Sequence, residues 1–221
     1  MCRRCSIVSN FEAIRRIFGV SPNVPNWWRP RYNVAPTDEA PVVRLRDSER
    51  ELVPLRWGLV PYWAKDPKIG YSTINAGAET VATAASFREA FRRRRCLVVT
   101  DGFYEWKKLE GGAKQPHRIV MKDREPFGLA GLWERWKPGD GAEPVQTFTI
   151  ITTTPNAVCS PIHNRMPVVI APADFDAWLT VAPGSAALLR AYPPESMEAY
   201  PVSKAVGNVK TYGPKLAEPI A

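Results

Sequence analysis

The chain has 221 residues, 45% of them hydrophobic, with 8 Trp, 7 Tyr and 8 Phe, which is ample for one sizeable core and ordinary for a single domain. No stretch approaches the roughly 20 consecutive apolar residues of a membrane helix. Met1-Cys-Arg-Arg-Cys5 leads into mixed polar residues instead of an apolar signal core, so a cytoplasmic protein without a membrane partner is expected. The 30 basic and 22 acidic residues leave a formal charge of +8, which suits an anionic partner without defining it.

In chain order, Asn10 to Phe18 reads as a helix, because Phe11, Ile14, Ile17 and Phe18 share one face. Pro22, Pro25 and Pro30 then impose an irregular segment through Trp27 and Trp28. Pro41 to Leu45 and Leu52 to Leu59 read as strands around a charged turn at Arg46 to Arg50. Ser86 to Arg94 reads as a helix capped by Ser86, with Phe87, Ala90 and Phe91 on one side. Cys96 to Val99 is an apolar strand delivering Asp101-Gly-Phe-Tyr-Glu-Trp106 at its end. Further strands are expected at Arg118 to Met121, Phe127 to Trp133, Phe148 to Thr153 and Val168 to Ile170, with glycine turns at 111–112 and 139–141. Ala173 to Leu179 starts a helix, and the last forty residues read as Pro-rich loop with Val202 a final strand residue. With no repeat or clean linker, residues 1–221 are expected to form one α+β domain. Its sheet should be largely antiparallel and curved or barrel-like, with a few flanking helices.

Four residue types carry candidate chemistry. Once Met1 is removed, Cys2 presents an α-amine (unperturbed pKa about 7.7–8.0) beside a thiol (about 8.5), both partly nucleophilic near neutrality. An aldehyde can condense with that amine, and the thiol can close a five-membered ring. The C-x-x-C spacing of Cys2 and Cys5 also occurs in zinc and redox sites. Zinc wants four ligands, however, and Cys96, Cys159, His117 and His163 offer no second pair. Cys5, Cys96 and Cys159 therefore read as small buried hydrophobes, and no metal or cofactor is expected. Glu105, between Tyr104 and Trp106, has an apolar setting that raises a carboxyl pKa toward acid/base use. His163, in a Pro-bounded loop beside Asn164 and Arg165, suits proton transfer. Asn75 can hydrogen-bond a sugar. The run Arg92-Arg-Arg-Arg95 is either a solvated helix face or an extension of a basic channel together with Arg88.

Seven segments, in order, carry a resemblance to a known family: Cys2 with Arg4; Arg31-Tyr-Asn-Val-Ala-Pro36; Trp57-Gly-Leu-Val-Pro61; Ile74-Asn-Ala76 with Ala78-Glu-Thr80; Asp101-Gly-Phe-Tyr-Glu-Trp106; Ile162-His-Asn-Arg-Met-Pro167; and Pro201 to Lys210. Together they resemble the SOS response-associated peptidases, the abasic-site processing proteins. A monomer is expected, and the resemblance implies that it crosslinks abasic sites in single-stranded DNA through a thiazolidine at Cys2. It also implies a peptidase-like hydrolase able to remove its own Met1, with an aminopeptidase the other route, and lyase-type chemistry at the lesion. By matching position, Asn75 holds the sugar and orders the terminus, Glu105 orients the amine and shuttles protons, and His163 serves as acid/base. Pro61 and Trp63 match positions that pack against bases, and Arg4 and Arg165 match positions that contact the DNA backbone. Trp57 and Trp106 are expected in the core. Two departures bear on DNA affinity: Arg3 replaces the usual Gly, and Gly77 stands where the family often has Arg. Two rivals remain: a cysteine amidase or peptidase acting in trans through Cys2 and His163, and a plain single-strand binding module.

Overall fold

The computed structural model describes residues 2–139 and 141–220. Met1, whose removal is expected from the sequence, and Asp140, in the expected 139–141 turn, lie outside them. The strands are β1 (Cys5–Ile7), β2 (Arg31–Val34), β3 (Glu39–Arg46), β4 (Glu49–Trp57), β5 (Asn75–Gly77), β6 (Arg95–Thr100), β7 (Gly102–Lys108), β8 (Lys114–Met121), β9 (Phe127–Trp136), β10 (Val145–Thr153), β11 (Met166–Pro167), β12 (Val169–Ile170) and β13 (Met197–Pro201). The α-helices are α1 (Phe11–Phe18), α2 (Arg88–Arg93) and α3 (Phe175–Leu179).

The pairings close a ring. β4 pairs with β3, β3 with β6, β6 with β9, and β9 with β10. β10 returns to β4 in parallel, so five strands form a barrel without free edges among themselves. β5 lies parallel to β10, placing Asn75 beside Ile150. A second, open sheet runs β13-β8-β7-β1-β2. The α+β fold with a largely antiparallel barrel-like sheet and few helices is the one the sequence anticipates.

Local chemistry accounts for much of this. Asn10 caps α1 by accepting from the Ala13 amide at 2.8 Å, and Gly19 ends it in the left-handed region at φ 63°. Phe11, Ile14 and Phe18 are buried, as their spacing requires. Asp47 and Ser48, both at positive φ, make the two-residue β3–β4 turn, the geometry that matches strand twist. Gly58, at φ 117°, approaches Gly70 so closely that a Cβ would lie 2.6 Å from the Gly70 carbonyl oxygen. That approach folds the excursion after β4 back on itself and brings β5 to the barrel.

Other expectations change. α2 starts at Arg88 without a side-chain cap, so Ser86 does not cap it. β4 ends at Trp57, before Leu59. The segment after Thr100 is itself strand β7, and Met197–Pro201 is a strand where loop is expected from the prolines. β1, β2 and β5 are only three or four residues long. They are held by partners distant in sequence, which local patterning does not register.

Candidate active site

Strand alternation builds the site. In β7, Phe103 and Glu105 point to one face and Tyr104 and Trp106 to the other. Tyr104 packs with Val202, Val206 and Leu216, with Trp106 against that cluster. Phe103 joins the main core, together with Cys2, Cys5, Trp57 and Cys159. Glu105 thus shares the face of an apolar cluster that contains Cys2. Burial raises its carboxyl to about 7, with Arg3 among the groups pulling it back down.

The terminus is held from three directions. The Tyr104 amide donates to the Arg4 carbonyl at 3.0 Å. Cys5 pairs with Val34 on β2 and with Phe103 on β7. Asn75 donates from Nδ2 to the Cys2 carbonyl at 2.8 Å. Asn75 Oδ1 is buried with no hydrogen-bond partner among the described residues. Cys2 is 0% exposed. Burial, and then the negative charge of Glu105, hold its thiol well above its ordinary pKa, so it is a neutral thiol.

His163 comes from the loop between β10 and β11. Asn156, itself buried, shapes that loop by accepting from the Val158 amide at 3.1 Å and the Cys159 amide at 3.0 Å. The His163 amide then donates to the Cys159 carbonyl at 2.9 Å. His163 Nδ1 accepts from the Arg165 amide at 3.0 Å, which places the proton of the neutral ring on Nε2. Burial, with Lys108 nearby, lowers its pKa. Glu105, His163, Arg3 and Arg4 line one open cleft of about 660 Å³, with Lys108 and Lys114 on its wall.

The structure therefore brings together Cys2, Asn75, Glu105, His163 and Arg4. Arg4 is half-buried and donates to the Arg3 carbonyl at 2.8 Å and the Gly207 carbonyl at 3.4 Å. Arg165 is adjacent, but its guanidinium grips Glu79 through two bonds of 2.7 and 2.9 Å and donates to the Thr152 carbonyl at 2.6 Å. Pro61, Trp63 and Arg88 lie off the cleft; Pro61 is buried, and Trp63 and Arg88 are exposed. The arginine run divides. Arg95 is buried, donates to the Phe91 carbonyl and Ser185 Oγ, and stacks on Phe91 and Trp178 at 4.3 and 4.4 Å. It is a core residue, so the basic face stops at Arg94.

Sequence reasoning misses Asp101 as a structural centre. Its carboxylate accepts from the Ser6 and Ser9 hydroxyls, the Val8 and Ser9 amides, and Arg118 at 2.8 Å. This clamp fixes β1 and, through it, Cys2. The signal available is an Asp at a β6–β7 junction and an Arg within the next apolar strand. Among the described residues no group of three or more His, Cys, Asp or Glu is arranged to hold a metal. No helix among them is long and apolar enough to cross a membrane.

A closed small barrel, and beside it a second sheet with a carboxyl tuned toward neutrality and an imidazole at one cleft and a buried cysteine behind them, defines a class of compact α+β proteins. The profile of the SOS response associated peptidase family (SRAP) matches residues 1–209, and the chain belongs to that family. It is 41% identical over 223 residues to abasic site processing protein YoqW of Bacillus subtilis, covering 99% of each chain. It is 34% identical over 234 residues to abasic site processing protein HMCES of Gallus gallus, covering 89% of this chain and 69% of that one. A crystal structure of a Bacteroides thetaiotaomicron protein superposes with a TM-score of 0.89 at 27% identity, covering 100% of both chains.

Proposed function

We propose that this protein captures abasic sites in single-stranded DNA through Cys2, after Met1 has been removed. The relatives named as abasic site processing proteins support the lesion as substrate. The observation that carries the chemistry is the placement of Cys2. Its carbonyl is fixed by Asn75, and its thiol is within electrostatic reach of a carboxyl whose pKa is about 7.

The order of steps follows from the protonation states. A thiol held above its ordinary pKa is a poor first nucleophile, so the freed α-amine attacks the aldehyde carbon of the ring-opened sugar. Loss of one water leaves an imine. The thiol then adds to the imine carbon, forming the C–S bond while the nitrogen gains a proton, and the thiazolidine is complete. A carboxyl near pKa 7 donates to the departing water and accepts from the thiol with similar ease at neutral pH. Neutral His163, with its proton on Nε2, can donate a hydrogen bond to the sugar's ring oxygen as the lesion opens.

The test is incubation of Met1-free protein, verified by intact mass, with an abasic single-stranded oligonucleotide. The expected product survives denaturant without a reducing agent and has the summed mass of protein and DNA less one water. Cys2→Ala should give none. An equal yield from Cys2→Ala would end the proposal.

A further inference from the structure

Beyond the cleft of Glu105 and His163, the barrel carries another depression, of about 500 Å³, lined by Tyr62, Glu89, Arg93, Arg94, Trp133, Glu134 and Arg135. We infer that it is a stacking site for an unpaired base in the DNA strand flanking the lesion, with Tyr62 as the platform and Arg93 and Arg135 meeting the phosphates. The inference rests on the single-stranded DNA reading above and extends it to residues outside the reacting centre.

Tyr62 and Trp63 are consecutive, and are 57% and 47% exposed. They sit in a turn closed by the Ala64 amide on the Pro61 carbonyl at 2.9 Å. The Trp136 indole pins that turn to β9 by donating to the Ala64 carbonyl at 2.6 Å. Two large rings are therefore presented to solvent on a fixed support, the arrangement that stacks bases with little ordering cost. Trp133 is a poorer platform, because the Arg44 guanidinium lies 4.1 Å from its ring centre.

The charges in the depression are not equivalent. Glu134 is buried and occupied: one oxygen accepts from Arg94 at 2.7 Å and the other from the Arg135 amide at 2.9 Å. That carboxylate is neutralised within the floor. Arg93 is 70% exposed and faces Glu89 only at 3.9 Å, a pairing of little strength in water. The Arg135 side chain is exposed and makes no ion pair among the described residues. Two cations thus remain available beside an exposed ring, which matches a base followed by its phosphates and gives an uncharged peptide nothing comparable.

The location fits a continuous strand. Arg135 pairs with Gln146 and Asn75 with Ile150, both on β10, roughly 13 Å apart along the strand at about 3.3 Å per residue. Trp63, matched by position to a base-packing residue, adjoins Tyr62 in the chain.

The experiment measures binding of the full chain to intact oligothymidylate strands of increasing length, by fluorescence anisotropy across a salt series. Intact strands lack an aldehyde, so the readout is independent of covalent capture; a failed crosslink alone would sink the earlier reading and not this one. Tyr62→Ala should weaken binding of long strands about 5- to 100-fold while leaving the shortest strands unaffected. Arg93→Ala with Arg135→Ala should lower the salt slope by about 0.7 for each phosphate that is no longer neutralised. Tyr62→Phe should keep most of the wild-type affinity, since stacking needs the ring and not the hydroxyl. Wild-type affinity and salt slope in the alanine variants at every length would overturn the inference. So would an equal gain from a fully duplex flank, whose bases are not free to stack on Tyr62.

Discussion

Two carboxylates, four residues apart, divide the labour of the site region. Asp101 stands at the β6–β7 junction facing five donors, among them Arg118. Glu105 lies in the middle of the strand, on the face of the apolar cluster that holds Cys2, and burial raises its carboxyl to about 7. The first charge is fully coordinated and holds the chain in place. The second is kept where it exchanges a proton near neutral pH. A buried acid surrounded by donors builds structure, while one set in an apolar wall is free to change its protonation state.

Breaking the first arrangement should have the largest effect. Asp101→Ala strands the Arg118 guanidinium in the interior and frees four other donors, so a loss of about 3–5 kcal/mol is expected in denaturant unfolding. Asp101→Asn should recover part of it, since the amide oxygen still accepts. Equal stability of Asp101→Ala and the parent would show that the clamp does not hold β1.

The second arrangement is separated from stability by Glu105→Gln. Crosslink formation should slow about 10²- to 10⁴-fold, the usual span for a lost acid/base group. The fold should be retained or strengthened. Between about pH 4.5 and 7 the folded chain keeps a proton on Glu105 that the unfolded chain has released, so this residue makes stability fall as pH rises through that window. Gln removes that slope, and the variant's advantage should grow to at most about 3 kcal/mol above pH 7, at about 1.4 kcal/mol per decade. Parallel unfolding-versus-pH curves for the two proteins would contradict the assignment. His163→Ala should be milder, near the lower limit of about 10²-fold, because the imidazole stands on a loop of the same cleft and Glu105 still moves protons without it.

Much of this is legible in the chain itself, and the reasons are particular. The helical spacing of Phe11, Ile14 and Phe18 and the apolar runs of the long barrel strands are local signals, and they place these elements, though not their exact bounds. Cys2, Asn75, Glu105 and His163 stand out by chemical type and resemblance; Glu105 and His163 meet at one cleft, and Cys2, held by Asn75, is buried within reach of Glu105. The short strands β1, β2 and β5 are invisible because their hydrogen bonds come from partners such as Phe103 and Ile150, far along the chain. Asp101 and Arg95 mislead for one reason. Polar side chains satisfied inside a fold look, in sequence, like surface residues, and only the packing around Ser6, Arg118 and Trp178 reveals otherwise.

Arg165 offers the finest contrast, since its position suggests a phosphate contact and the structure gives it a carboxylate. Glu79 pairs with it through both oxygens, and Arg165 holds the Glu79 carboxyl below its ordinary value. A Cβ on Gly77 would lie 3.1 Å from Glu79 Oε2 and 3.7 Å from the Arg165 guanidinium, so a side chain at this position would open directly onto the pair. Glu79 is more than half exposed, so breaking the pair costs little, on the order of 1 kcal/mol or less. Glu79→Gln should therefore leave unfolding almost unchanged and tighten binding of intact single strands about two- to fivefold at low salt. The salt slope should steepen by about 0.7 if Arg165 then takes one phosphate. Tighter binding with an unchanged slope would mean that Glu79 acts by repulsion alone, and that Arg165 serves the loop of His163 and not the DNA.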